Sequence, residues 1–137
     1  MKIVNYLYFD GTCEAAFAFY AKVLGGKLTA LTHYGNSPAE KFVTPDFYGK
    51  VLHASLEVST QTLLGSDAMP KMYNKPQGFT VALIIEDEFE AERIFNAFAD
   101  GGQVRMPMQP TFWSACFGEV VDRFGIPWSV SGGSVPT

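Results

Sequence analysis

Residues 13–26, CEAAFAFYAKVLGG, and residues 89–102, FEAERIFNAFADGG, align at a constant offset of 76. The shared positions are Glu14/Glu90, Ala15/Ala91, Phe19/Phe95, Ala21/Ala97 and the glycine pairs Gly25-Gly26 and Gly101-Gly102. An apolar, strand-like run precedes each copy, at residues 3–9 and 79–85. A period this long restricts the chain to one supersecondary unit used twice, each copy needing cover for its apolar face. The space between two such units is where a ligand site is expected.

A chain of 137 residues is one domain by length, or two joined half-domains. It buries roughly two thirds of its unfolded surface, so it needs neither disulfide nor metal to fold. Twelve phenylalanines give a rich core with aromatics to spare for a pocket or an interface. The net charge is −4, and the ten Lys and Arg are scattered. Phosphate neutralisation needs clustered cations, so nucleic acid is not an expected partner. The acidic run Glu86-Asp87-Glu88 suits a helix start, where negative charge complements the macrodipole. Met1-Lys2 leads straight into a strand pattern rather than a signal peptide. No apolar run approaches the roughly 18 residues of a membrane span. We therefore expect a cytoplasmic protein with Cys13 and Cys116 as free thiols and no membrane partner.

Each half reads as β-α-β-β-β. In the first, a strand over 3–9 is followed by the turn Asp10-Gly11-Thr12, with Thr12 as helix cap. The helix runs to Leu24, with Cys13, Ala16, Phe17, Tyr20 and Leu24 on one face, and Gly25-Gly26 ends it. Strand character resumes over 27–34. The loop 35–49 holds Phe42, Phe47 and Tyr48, so it is either packed down or a lid. Residues 50–59 and 61–66 predict a hairpin. In the second half, a strand over 79–85 precedes a helix over 87–100 with Ala91, Ile94, Phe95 and Phe98 buried and Gly101-Gly102 as its cap. Strands follow over 103–108, 112–121 and 126–130, with Asp122-Arg123-Phe124-Gly125 turning between the last two. The expected domain is single over 1–137: a first module over 1–67, a linker over 68–77, a second module over 78–131 and a flexible tail over 132–137. The fold class is α+β, with a split, mostly antiparallel sheet.

Specific strings point further. Phe19-Tyr20-x-x-Val23-Leu24-Gly25-Gly26 resembles the first-helix end of the glyoxalase / bleomycin-resistance / dioxygenase family, the vicinal-oxygen-chelate superfamily. Leu64-Gly65-Ser66-Asp67, Gly101-Gly102, Met106-Pro107-Met108 and the run Thr111-Phe112-Trp113…Phe117-Gly118…Asp122-Arg123-Phe124-Gly125-Ile126-Pro127-Trp128 resemble its PhnB-like branch, labelled 3-demethylubiquinone-9 3-methyltransferase-like. The resemblance covers residues 3 to about 131. It implies two βαβββ modules forming a curved sheet around a central groove, and a homodimer whose interface takes up surplus aromatics. It does not by itself carry function, because this fold hosts isomerases, dioxygenases, thiol transferases and drug-binding proteins.

Metal-dependent members of that superfamily hold one divalent ion with His or Glu from the first and fourth strands of each module. Carried onto this chain, the slots fall on Asn5, near Gly65, near Thr80 (Val81 by the repeat offset, or Ala82) and on Ser129. None is a His, Asp, Glu or Cys, and hydroxyls and an amide alone are poor ligands. We therefore expect no metal and no cofactor. The fallback is a different site built from His53, Asp67 and Glu119, which would hold a divalent ion for a lyase, isomerase or dioxygenase acting on vicinal oxygens. His53 is also the candidate catalytic base. A lone strand histidine is more often a hydrogen-bonded structural one, and His33 reads as a surface residue.

Methyl transfer has no visible motif. The Gly-Gly pairs follow helices, and no glycine-rich loop follows the first strand. Cys13 sits on an apolar helix face and reads as an inert core thiol. Met106, Met108, Phe112, Trp113, Phe117 and Trp128 concentrate near the chain end, where core packing competes with an adaptable pocket. The resulting expectation is a metal-independent binder of a small, partly apolar organic molecule. Asn5, His53, Asp67, Thr80 and Ser129 would give polar contacts, and Trp113 and Phe117 stacking surface.

Overall fold

A computed structural model describes residues 1–133. The chain divides into two units, residues 1–74 and 75–137. Both follow the β-α-β-β-β order expected from the repeat, so the fold class is α+β as read from the sequence.

The first unit contains β1 (Asn5–Phe9), α1 (Cys13–Leu24), β2 (Lys27–His33), β3 (Val51–Val58) and β4 (Gln61–Asp67). Its sheet order is β1-β4-β3-β2. The β1/β4 pair is parallel and the other two are antiparallel. The second unit contains β5 (Val81–Ile85), α2 (Glu88–Ala99), β6 (Gln103–Gln109), β7 (Cys116–Val121) and β8 (Pro127–Gly132), in the order β5-β8-β7-β6 with β5/β8 parallel. The first strand of each unit thus pairs with the fourth, and the intervening helix covers one sheet face.

Strand alternation decides what each face carries. In β1, Leu7 and Phe9 are buried and face α1, where Phe9 meets the Phe17 ring edge-on at 6.0 Å. Gly65 in β4 faces the same way, and a Cβ there would lie 2.6 Å from the Phe17 ring, so only glycine fits. In the second unit Trp128 stacks on Phe98 of α2 with ring centroids 4.6 Å apart. Burying two such rings contributes several kcal/mol of apolar transfer on the order-of-magnitude scale.

Several sequence boundaries move. Ile3 and Phe79 are exposed and precede their strands. Val23 rather than Leu24 completes the buried face of α1. Thr12 makes no side-chain cap; its backbone (φ −112, ψ 13) is not in the extended region that cap geometry needs, and Asp67 supplies the acceptor instead. Gly25 does terminate α1 in the left-handed region (φ 69). In α2 the cap is Asp100, and Gly101 (φ 76) follows it. Phe112 and Trp113 lie in a loop before β7, where Ser114 and Thr111 form a turn. Gly132 belongs to β8, paired with Cys116, and residues 134–137 of the expected tail lie outside the described residues.

The repeat itself holds a correction. The strands β1 and β5 are related by an offset of 76, as are the starts of β2 and β6 at Lys27 and Gln103. The helices are not: α1 and α2 are related by 75, from Cys13 to Glu88 and from Leu24 to Ala99. Phe95 is therefore the packing counterpart of buried Tyr20, not of half-buried Phe19. The sequence identities at 76 run through the helices out of phase with their buried faces.

Candidate functional site

A cleft of about 480 Å³ opens on the first unit. Its floor and walls come from β1, β3, β4 and the segment after β4. Tyr6 and Tyr8 project from β1 on the face opposite Leu7 and Phe9. Ser66 of β4 and Leu52 of β3 join them, and Tyr34, Met69, Met72 and Asn74 close the sides. Tyr6 and Tyr8 lie 5.1 Å apart, centroid to centroid, because alternate residues of one strand stand side by side.

Two polar arrangements border this cleft. The Tyr6 hydroxyl lies 3.1 Å from His53 Nδ1, with the rings tilted at 35°. Burial is the main cause raising the Tyr6 phenol above its ordinary range. Asp67 lies at the end of β4, buried, with its carboxylate committed to structure: Oδ1 accepts from Cys13 N–H at 2.9 Å and Oδ2 from Val51 N–H at 2.8 Å. The Asp67 carbonyl accepts the Tyr34 hydroxyl at 2.8 Å. Burial first, then the Asp67 charge, raises the Tyr34 phenol. Tyr34 is held from behind by Phe47, 5.1 Å away, so the loop before β3 is packed down at this point rather than free to swing.

Within the second unit, β8 and β7 present a different set. The Thr80 hydroxyl donates to Ser129 Oγ at 3.1 Å. Ser129 pairs with Glu119 across β7/β8, and Phe117 pairs with Ser131. These residues share the sheet face away from α2, because Trp128 and Val130 point at the helix. Trp113 meets Phe117 edge-on at 5.3 Å, and Phe112 meets Trp113 at 4.6 Å.

The sequence candidates therefore sort by face. Thr80, Ser129, Glu119, Phe117 and Trp113 come together on the second unit. In the first, His53 stands beside Tyr6. Asn5 has the strand parity of Leu7 and Phe9, so it lies on the helix-facing side, away from Tyr6 and Tyr8. Asp67 and His53 are likewise separated: the carboxylate bonds the α1 N-terminus, while the imidazole bonds the opposite face. Among the described residues, no group of three or more His, Cys, Asp or Glu is placed to hold a metal ion.

The model of the 3-demethylubiquinone-9 3-methyltransferase family matches residues 1–131. The chain belongs to that family. It is 33% identical to protein YjdN of Escherichia coli (strain K12), over 96% of this chain and 95% of that one. Among solved structures it is similar to protein PA1353 from Pseudomonas aeruginosa, with 42% identity, a TM-score of 0.89 and coverage of 97% and 98%. The PhnB protein from Bacillus cereus shares the fold, with 24% identity, a TM-score of 0.81 and coverage of 97% and 100%. The resemblance to the PhnB-like branch of the glyoxalase fold thus holds.

For this member of the 3-demethylubiquinone-9 3-methyltransferase family, the metal slots of the wider superfamily do not fit an ion. Gly65 has no side chain, Asn5 faces the helix side, and the Ser129 hydroxyl is already bonded to Thr80. Amide and hydroxyl oxygens without a carboxylate or imidazole make a weak donor set.

The cleft residues Tyr6, Tyr8, Tyr34, Leu52, Met69 and Met72 were not singled out in the sequence, and Ser66 entered only within the Leu64-Gly65-Ser66-Asp67 string. One signal was there: Tyr6 and Tyr8 alternate with Leu7 and Phe9, a two-residue aromatic stripe on a strand apolar on both faces. Met69, Met72 and Asn74 carried no signal, because they lie in what reads as a linker.

Proposed function

We propose that this protein binds a small, flat, partly apolar organic molecule in the tyrosine-lined cleft of its first unit, without a metal ion. The observation that carries this reading is the cleft itself: about 480 Å³, with three tyrosines and two methionines around Ser66 and Asn74. Ligand pockets are concave, mostly apolar and aromatic, with a few polar groups that fix orientation. Methionine adds an adaptable wall. Its volume suits a molecule of one or two fused rings rather than a polymer.

The family description names methyl transfer, but binding is the better-supported activity. Both sheets are mixed and mostly antiparallel, unlike the doubly wound parallel sheet that cradles a nucleotide cofactor. Metal independence is supported by the donor set described above. A homodimer belongs to the same proposal, supported by the nearly full exposure of Ile84 and Phe112.

The test is calorimetric titration with 2-naphthol. Saturable one-to-one binding by the wild type, weakened by Tyr8→Leu and by Met72→Ser, is expected. Binding indifferent to both substitutions, or no binding by 2-naphthol, overturns the reading. In a parallel arm, chelator-stripped protein is melted with Ni²⁺, Zn²⁺, Mn²⁺ and Fe²⁺. A saturable rise in Tm with one ion contradicts metal independence, because a ligand of the folded state must stabilise it.

A further inference from the structure

We propose that the cleft selects organic cations, a flat ring bearing a quaternary or protonated nitrogen, over neutral or anionic rings of the same shape. This rests on the binding reading above and adds the sign of the charge.

Three tyrosine rings line the cleft, and the face of an aromatic ring is its negative side. A cation is attracted to such a face within roughly 6 Å of the centroid. Tyr6 and Tyr8 are 5.1 Å apart, so one cation can approach both rings together. None of the lining residues is Lys, Arg or His, and the charged one among them is Asp67. Its carboxylate is buried and bonded to the Cys13 and Val51 amides, away from the tyrosine face, so the ring faces carry the preference.

The neighbouring cations are directed elsewhere. Lys50 Nζ donates to the Gly11 carbonyl at 3.1 Å, and Lys71 is exposed on the turn after Pro70. His53 stands at the cleft rim, with its ring against Tyr6. Burial keeps the Tyr6 and Tyr34 phenols protonated, which preserves neutral rings rather than phenolates. An anion would find hydroxyls and the Asn74 amide on the walls, but no lysine, arginine or histidine among the lining residues.

The experiment compares three probes of one shape at mildly alkaline pH, where the quinoline nitrogen is unprotonated. The probes are 1-methylquinolinium, quinoline and naphthalene-1-sulfonate, titrated by calorimetry into the full chain. We expect 1-methylquinolinium to bind roughly tenfold tighter than quinoline, and the sulfonate weakest. Tyr8→Phe keeps that order, whereas Tyr8→Leu, at an exposed position, reduces the preference. The order persists in about 0.5 M salt, which screens attraction to net charge. Quinoline binding as tightly as the cation, the sulfonate binding tightest, or a preference lost in salt overturns charge selection and leaves the binding reading standing. A preference that survives Tyr8→Leu and Tyr6→Leu also overturns it, because the rings are then not its source. If none of the three binds, the binding reading falls with it.

Discussion

The carboxylate of Asp67 caps a helix that begins 54 residues earlier in the chain: its Oδ1 accepts the Cys13 N–H at 2.9 Å. The other oxygen holds the first amide of β3, Val51, at 2.8 Å. One side chain thus ties the α1 N-terminus, the end of β4 and the start of β3 together. Asp67→Ala leaves two buried amides unpaired, which costs about 1–3 kcal/mol each. We expect a loss of roughly 3 kcal/mol for Asp67→Ala in urea unfolding and a smaller loss for Asp67→Asn, which keeps one acceptor. A loss below about 1 kcal/mol would mean water replaces the carboxylate.

Gly132 in β8 faces α2 so closely that a Cβ would lie 2.4 Å from the Ala91 Cβ. Gly132→Ala should destabilise by about 2 kcal/mol through overpacking. Adding Ala91→Gly removes the opposing methyl and should recover part of the loss, less about 1 kcal/mol for glycine in a helix. A double-mutant cycle by thermal unfolding measures the coupling; strict additivity contradicts the contact.

Cys13 is fully buried on α1, and burial first, then the Asp67 charge, raises its thiol pKa far above the ordinary range. The sign follows from proton linkage. The folded state keeps the proton while the unfolded thiol loses it above its ordinary pKa of about 8.5–9, so stability is full below that pH. Above it, stability falls by up to about 1.4 kcal/mol per pH unit for this group. Tyr6 and Tyr34, also raised, extend the decline above about pH 10. Urea midpoints between about pH 7 and 11 should decline from about pH 9. Cys13→Ala should shallow the first part of the slope; an unchanged slope removes Cys13 as its cause.

Trp128 is buried against Phe98, whereas Trp113 is about half exposed at 47%. Acrylamide should quench one emitting population readily and spare another. Trp113→Phe should leave a blue-shifted, quench-resistant spectrum. Two equally quenchable tryptophans would contradict the placement of Trp128.

Much of this was legible from particular residues. Gly25 stops α1 because its left-handed conformation is open to glycine at little cost. The buried face Ala91, Ile94, Phe95 and Phe98 follows from helical spacing alone. The site was less legible. Asn5 sits where the superfamily slot falls, but one residue along a strand changes face, and the cleft lies on the side of Tyr6 and Tyr8. Asp67 reads as a turn residue or a ligand until its two distant amide partners are known.

By itself the sequence determined that the chain is two βαβββ units, because hydrophobic period, turn glycines and an internal repeat are local properties written residue by residue. Tertiary structure decided which side chains meet. The parallel pairing of β1 with β4 places Tyr8 opposite Ser66, and the one-residue difference between helix and strand offsets makes Phe95 the counterpart of Tyr20 rather than of Phe19. Both depend on register between segments far apart in the chain, and register is settled by packing the helix against the sheet, where a slip of one residue would turn a buried face to water.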